Sequence, residues 1–388
     1  MELRKINISD IGKIITGKTP RTSITENYGG VIPFLTPSDD LTRKHVVKTG
    51  KTLSFKGLNE VKNCLIPEKS ICVSCIGSDL GKVVMTNAPT VTNQQINSII
   101  VNDEFDPDFI YYLMKIVGRE LNFISKTSTA VPIINKSTFS NTEVLVPSLE
   151  NQIRIGEILS SLDDKIELNR QINDNLEQQA QAAFNNIIAN TTSDKTVRLS
   201  EIAWLNPKRS ISKGSVARSI EMAHLPTTGS FPSGWEMKEY NGGMKFQNGD
   251  TLMARITPCL ENGKVAFVNF LEDDEIAFGS TEYITMTPKR QFAPEVLYFL
   301  VRNAEFIDFA VKNMNGSSGR QRVSADTIGT YELPDITLEE LHMLETIARE
   351  ALTKIKYNSL ENMRLAEMRD TLLPKLMSGE FKINEIDC

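Results

Sequence analysis

A chain of 388 residues, 40% hydrophobic and 24% charged, is ordinary globular material for two or three domains. No apolar run reaches transmembrane length and the opening MELRKINISD has no signal-like apolar stretch, so the cytoplasm is expected. Five cysteines argue against a disulfide framework, and a net charge of -6 argues against a uniformly basic nucleic-acid coat.

The charge is unevenly placed. Residues 1–145 carry 17 basic and 14 acidic side chains, residues 146–196 carry 4 and 8, residues 197–332 carry 15 and 16, and residues 333–388 carry 7 and 11. The acid is concentrated in two segments, and residues 1–82 alone, with 13 basic and 8 acidic side chains, leave room for a basic surface.

Near the start, GKIITGKT (Gly12 to Thr19) matches the phosphate-binding loop pattern in full. That mechanism needs a buried strand before the loop and a helix opening at its end, whose amides and dipole hold the phosphates. Arg21 to Gly30, RTSITENYGG, reads instead as a loop closed by paired glycines, and the chain lacks the alternating strand and helix pattern of a parallel nucleotide fold. Further on, SICVSCIG reads as a strand whose Cys72 and Cys75, three apart, point to opposite faces; core thiols are favoured over a metal or redox pair. His45, His224 and His342 show no metal or triad spacing.

The first acidic segment is helical by period. Ile155, Leu159, Leu162, Ile166, Asn169, Asn173, Leu176, Ala180, Ala183 and Ile187 follow at alternating steps of four and three, a coiled-coil seam. Adding 189 to each number gives Leu344, Ala348, Ala351, Ile355, Asn358, Asn362, Leu365, Arg369, Leu372 and Leu376 in the second acidic segment. The repeat extends upstream. DPDFIYYLM (Asp106 to Met114) matches APEVLYFLV (Ala293 to Val301), ISDI at Ile8 matches LSEI at Leu199, and Gly81-Lys82 matches Gly263-Lys264. The plan is therefore domain, helix, domain, helix: residues 1–146, 147–192, 193–333 and 334–388. Where the first copy reads ISDIGKIITGKTPR the second reads LSEIAWLNPKRS, so a basic loop is shared and the phosphate loop is not. Two successive seam asparagines cost stability unless each amide finds a partner. Antiparallel packing lets Asn169 face Asn362 and Asn173 face Asn358.

The tandem plan, LVPSLENQIRIGEILSSLDDKIELNRQINDNLEQQAQAAF in the centre and LAEMRDTLLPKLMSGEF at the end together resemble the specificity subunit of type I restriction-modification enzymes over essentially the whole chain. TGKTPRTSITENYGGVIPFLTPSDD and TPCLENGKVAFV also resemble that family's recognition-domain phrases. The resemblance implies an α+β protein: two target recognition domains of mixed α/β content with β-rich cores, alternating with two long antiparallel coiled-coil helices in a pseudo-twofold repeat. It also implies that each domain reads half of a bipartite asymmetric site on double-stranded DNA. The helices would act as spacer and dock methyltransferase subunits, two of them, and through these restriction subunits. No membrane, catalytic residue, metal or cofactor is implied for the chain itself; S-adenosylmethionine, ATP and magnesium belong to the partners. The sequence contains no Asn-Pro-Pro or Asp-Pro-Pro followed by an aromatic; Asn206-Pro207-Lys208 is only a fragment. The acidic pairs Asp163-Asp164 and Asp273-Asp274 read as solvated charge.

Phosphate contacts supply affinity for DNA, and Arg, Lys, Asn or Gln at base edges supply discrimination. The candidates in the first domain are Lys18, Thr19, Arg21, Ser38, Arg43, Lys44, Lys82 and Lys126. In the second they are Lys208, Arg209, Arg218, Arg255, Lys264, Arg320, Gln321 and Arg322. GSSGRQR (Gly316 to Arg322) is the strongest local case, because glycine and serine permit close approach while arginine forks onto guanine. Lys82 and Lys264 equally suit a hairpin turn. The competing classes are a coiled-coil scaffold that binds no DNA, the specificity subunit of a related methyltransferase-nuclease system, and a nucleotide-dependent enzyme resting on the Gly12 motif alone.

A ruler follows from the seam. Inserting one seven-residue repeat after Leu176 and another after Leu365 keeps the seam in phase and lengthens each helix by about 10.5 Å at about 1.5 Å per residue. With base pairs about 3.4 Å apart, the spacer between half-sites should grow by at most roughly three pairs while both half-sites stay the same. Mapping the methylated sites of the insertion variant checks this; an active complex that keeps the original spacer refutes it.

Overall fold

The computed structural model describes residues 2–46, 48–125, 133–191, 193–289, 292–317 and 319–380. The chain forms two compact units, Met1–Lys165 with Arg364–Cys388, and Ile166–Met363. Both are α+β, and they repeat one topology.

In the first unit a four-stranded sheet runs in the order Gly12–Thr16, Ile96–Val101, Ile71–Ser74, Val83–Met85, every neighbouring pair antiparallel. A second sheet runs Lys51–Leu53, Tyr28–Leu35, Thr90–Thr92, Leu65–Ile66, with one parallel pair at Phe34 and Val91. Arg4–Asn7 pairs antiparallel with Glu143–Val146 and so joins the first strand of the domain to its last. The second unit has the same order: Ala203–Leu205, Tyr283–Pro288, Thr251–Ala254, Val265–Phe267 in one sheet and Glu236–Glu239, Val216–Ile220, Ala277–Gly279, Met244–Phe246 in the other. Its parallel pair is Ser219 with Phe278, and its closing ribbon is Thr196–Arg198 with Glu332–Pro334. Strands such as ICVS and VVM are buried throughout because helices or the second sheet cover both of their faces. Cys72 and Cys75 lie in two different hydrophobic clusters, on opposite faces as their spacing requires.

Two long helices, Leu149–Asn190 and Leu338–Ser378, complete these cores. The second starts at a capping box: Glu340 N–H donates to Thr337 Oγ1 at 3.2 Å while Thr337 N–H donates to the Glu340 carboxylate at 2.9 Å. Ile155, Leu159, Leu373 and Leu376 join the first core, and Ala180, Phe184, Leu344, Ala348 and Ile355 join the second. Inside the second unit the helices run antiparallel, Asn169 donating to Asn362 at 2.9 Å and Asn358 donating to Asn173 at 2.8 Å.

Two expectations are corrected. Asp163 is not solvated: it is buried, accepting from Tyr112 Oη at 2.6 Å and from Arg369 Nη1 at 2.5 Å, so a seam cation and a core phenol share one carboxylate. Asp164, Asp273 and Asp274 are exposed. Nor is Tyr28 to Gly30 a loop. These residues open a strand that carries a bulge between Tyr28 and Ile32, which the positive φ of 81° at Gly29 accommodates.

The phosphate-loop motif has a different purpose. Gly12–Thr16 is a strand, and extended chain rather than a helix follows it. A Cβ at Gly12 would stand 2.0 Å from the Ile100 carbonyl oxygen, and one at Gly17 would stand 2.2 Å from the carbonyl oxygens of both Thr92 and Asn93. Gly12 permits backbone contact within its sheet, and Gly17 permits it between the chain after Thr16 and the turn at Thr92–Asn93. Gly17→Ala should therefore lower stability by about 3 kcal/mol through overpacking, seen as an earlier unfolding midpoint in denaturant; an unchanged midpoint would refute the packing role.

Candidate nucleic-acid interface

In the first unit three loops converge at one end of the sheets. The chain after Gly12–Thr16 is tied to the turn Thr92–Gln95, Lys18 N–H donating to the Thr92 carbonyl at 2.9 Å and Thr19 Oγ1 to Gln94 Oε1 at 2.7 Å. Asn93 N–H donates to the Leu35 carbonyl at 3.0 Å, which brings in the loop carrying Ser38 and Arg43. Lys18 is exposed; Arg21 reaches Glu60 at 3.3 Å with most of its side chain in solvent. Ser38 shares a 2.7 Å hydrogen bond with Thr36, and Arg43 pairs with Asp40 at 3.2 Å.

Lys44 leaves the candidate set. Its side chain is 6% exposed, 2.5 Å from Asp108 Oδ1, 2.7 Å from Ser160 Oγ and over the Tyr112 ring, so it ties the domain to the central helix. Beside it, burial pushes the His45 imidazole below its usual range and Lys44 adds to the effect. Lys82 ends a turn in which Gly81 has a φ of 88°, and it pairs with Asp79 at 2.5 Å. Its counterpart Lys264 follows Gly263, φ 67°, and donates to the Met222 carbonyl at 2.7 Å. Both stand in the turn between two antiparallel strands. Lys126 lies outside the described residues.

The second unit divides its candidates in the same way. Arg209 leaves the set, since its side chain is 7% exposed and its Nη2 donates to the fully buried Asp250 at 2.8 Å and to Thr287 at 2.9 Å. Arg218 is clamped between Glu275 at 3.0 Å and the Trp235 ring at 4.7 Å. Lys208 and Arg320 are exposed. Arg255 and Arg322 meet on one carboxylate: Arg255 Nε donates to Glu282 at 3.1 Å, and Arg322 donates through Nε at 2.9 Å and Nη2 at 2.7 Å. These bonds, that from Arg322 above all, hold the Glu282 carboxyl below the usual range. Thr257 N–H donates to the Gln321 carbonyl at 3.0 Å, so Gln321 and Arg322 lie along the segment that carries Arg255.

Glu282 and the amides Asn93, Gln94 and Gln95 stand beside the candidates without being among them. The run TNQQ stands in the sequence as a cluster of amides of the type that can reach base edges; nothing in the sequence marks an acid as a holder of arginines. No group of three or more His, Cys, Asp or Glu among the described residues is arranged to hold a metal ion, and no described helix is long and apolar enough to cross a membrane.

Duplicated sheet domains completed by two long helices, each carrying exposed cationic loops, define the class by its architecture. The family described as "Type I restriction modification DNA specificity domain" matches residues 2–178. The chain is 43% identical over 145 residues to the type I restriction enzyme HindI specificity subunit of Haemophilus influenzae, a match covering 37% of this chain and 31% of that one. It is 27% identical to the MjaIX specificity subunit of Methanocaldococcus jannaschii, over 98% of this chain and 93% of that one. The crystal structure of a type I restriction-modification S subunit from M. genitalium has the same fold, with a TM-score of 0.58 at 17% identity over 97% of this chain and 96% of that one. Residues 2–178 thus resemble the type I restriction-modification specificity family, and nearly the whole chain is similar in sequence to one of its specificity subunits.

Lys18 is the residue on which the expectations of DNA contact and of nucleotide binding differ. Lys18→Ala should weaken DNA binding by the complex, while calorimetric titration detects no ATP binding to the isolated chain with or without the substitution; tight ATP binding lost in the variant would overturn this.

Proposed function

We propose that this chain is the sequence-recognition subunit of a type I restriction-modification complex, reading an asymmetric bipartite site on double-stranded DNA with one domain per half-site. The supporting observation is one scaffold used twice with different loop chemistry: amides at Asn93–Gln95 in the first copy, and a carboxylate-held arginine pair in the second. Identical topology allows each domain to meet DNA in the same way, and unlike side chains require unlike base sequences. Phosphate affinity then falls to exposed cations such as Lys18, Arg21, Lys208 and Arg320, which suffice locally even on a chain of net charge -6.

The chain performs no chemistry in this reading. It docks two methyltransferase subunits, and through them restriction subunits, in the cytoplasm; S-adenosylmethionine, ATP and magnesium are used by those partners. The test is co-expression with candidate methyltransferase subunits followed by sequencing of modified adenines. One asymmetric bipartite motif, absent when this chain is omitted, is expected. Methylation without sequence preference, or a motif indifferent to loop substitutions, would favour a scaffold instead.

A further inference from the structure

The turn that carries Glu282 in the second domain has a counterpart in the first. Glu282 N–H donates to Ser280 Oγ at 3.1 Å as Gln95 N–H donates to Asn93 Oδ1 at 3.0 Å. Arg255 N–H donates to the Glu282 carbonyl at 3.0 Å as Cys75 N–H donates to the Gln95 carbonyl at 2.8 Å. Val323 N–H donates to the Arg255 carbonyl at 3.0 Å as Ile134 N–H donates to the Cys75 carbonyl at 2.9 Å. The bridge between Ile256 and Arg322 likewise matches that between Ile76 and Ile133. One backbone clip thus holds Arg255, Glu282 and Arg322 in the second domain and Cys75, Gln95 and Ile133 in the first.

The three charged residues divide the work. A guanidinium has five N–H donors in a planar fork. Arg322 places Nε and Nη2 on Glu282 and its Nη1 on the Arg320 carbonyl at 3.1 Å, so most of its donors are committed and it braces the carboxylate. Arg255 is bound through Nε alone among the described residues, and its side chain is a third exposed. Its two Nη groups remain, and the carboxylate fixes the plane in which they lie. A fork held in that way suits the two adjacent acceptors, O6 and N7, of a guanine in the major groove. An unbraced arginine meets a phosphate just as well, so bracing is the part of the arrangement that bears on sequence.

Resting on the DNA-reading function above, we propose that Arg255 reads a guanine in the half-site of the second domain, with Glu282 as its positioning residue and Arg322 as the brace. The first domain, with an uncharged triad at the equivalent place, has no such contact. Its half-site is read by other groups, Gln94 among them.

The experiment uses the full chain co-expressed with its methyltransferase subunits. The motif is first mapped for the wild type, and binding is then measured against duplexes substituted one base pair at a time. Arg255→Lys keeps the positive charge and loses the fork. It should reduce preference for one G·C pair in the second half-site by about ten- to a hundredfold, leaving the first half-site and binding to unrelated DNA unchanged. Glu282→Ala should relax the same position while binding to unrelated DNA holds or rises, because a negative charge leaves the surface. A merely structural role predicts weaker binding to every duplex and an earlier melting transition. Arg322→Ala should act in the same direction as Glu282→Ala at that one position, which keeps the test decisive if one variant fails to fold. Uniform loss for all sequences would make Arg255 a phosphate contact and overturn the inference, as would relaxation at both half-sites. A wild-type complex with no sequence preference would overturn the DNA-reading function itself; a wild-type motif without a guanine dependent on Arg255 overturns only this assignment.

Discussion

Register in the helix pair is set by amides that have nowhere else to go. Asn169 donates to Asn362 at 2.9 Å and to Glu361 at 2.7 Å, Asn358 donates to Asn173 at 2.8 Å, and Asn173 donates to Ser359 at 3.3 Å. Sliding one helix by a heptad would set Asn169 against Ile355 or Arg369 and strand amides at a cost of about 1–3 kcal/mol for each unsatisfied group. The same register seats Ala180, Phe184, Leu344 and Ala348 in the core of the second unit. Apolar seams tolerate neighbouring registers; an amide pair does not, and the remaining packing inherits its choice.

Much of this was legible because it is periodic. The seam, its repetition, the reuse of ISDI as LSEI and the opposite faces of Cys72 and Cys75 all follow from spacing, and spacing survives without knowledge of the fold. The misreadings concern charge whose partner is remote in the chain. Lys44 looked like a free loop cation until Asp108 and Ser160 arrived beside it, and Arg209 looked the same until Asp250 closed over it. Asp163 looked solvated beside Asp164, yet its helix turns it toward Tyr112 and Arg369. A local pattern tells which residues are charged; only the tertiary fold tells which charges are already matched.

The glycines of the opening motif show how a functional pattern arises for a structural reason. Extended chains that lie backbone to backbone select glycine wherever a Cβ would strike a carbonyl, and at Gly12 and Gly17 it would. Lys18 and Thr19 then follow for reasons that belong to the loop. The antiparallel pairing of Gly12–Thr16 with Ile96–Val101 is what separates the two readings, since phosphate-loop folds place such a strand in a parallel sheet.

Each domain's chain arrives and departs on adjacent strands, Arg4 opposite Val146 in the first and Thr196 opposite Pro334 in the second. Everything between those strands is thereby a cassette with its two ends side by side, the arrangement in which whole segments are replaced with least disturbance to the remainder. A gene conversion that exchanged only the stretch between the ribbons would import a new set of loops and leave the helices untouched. The protein's vocabulary is in this sense separable from its grammar: one domain's loops can be traded in evolution without renegotiating the helices or the other domain's loops.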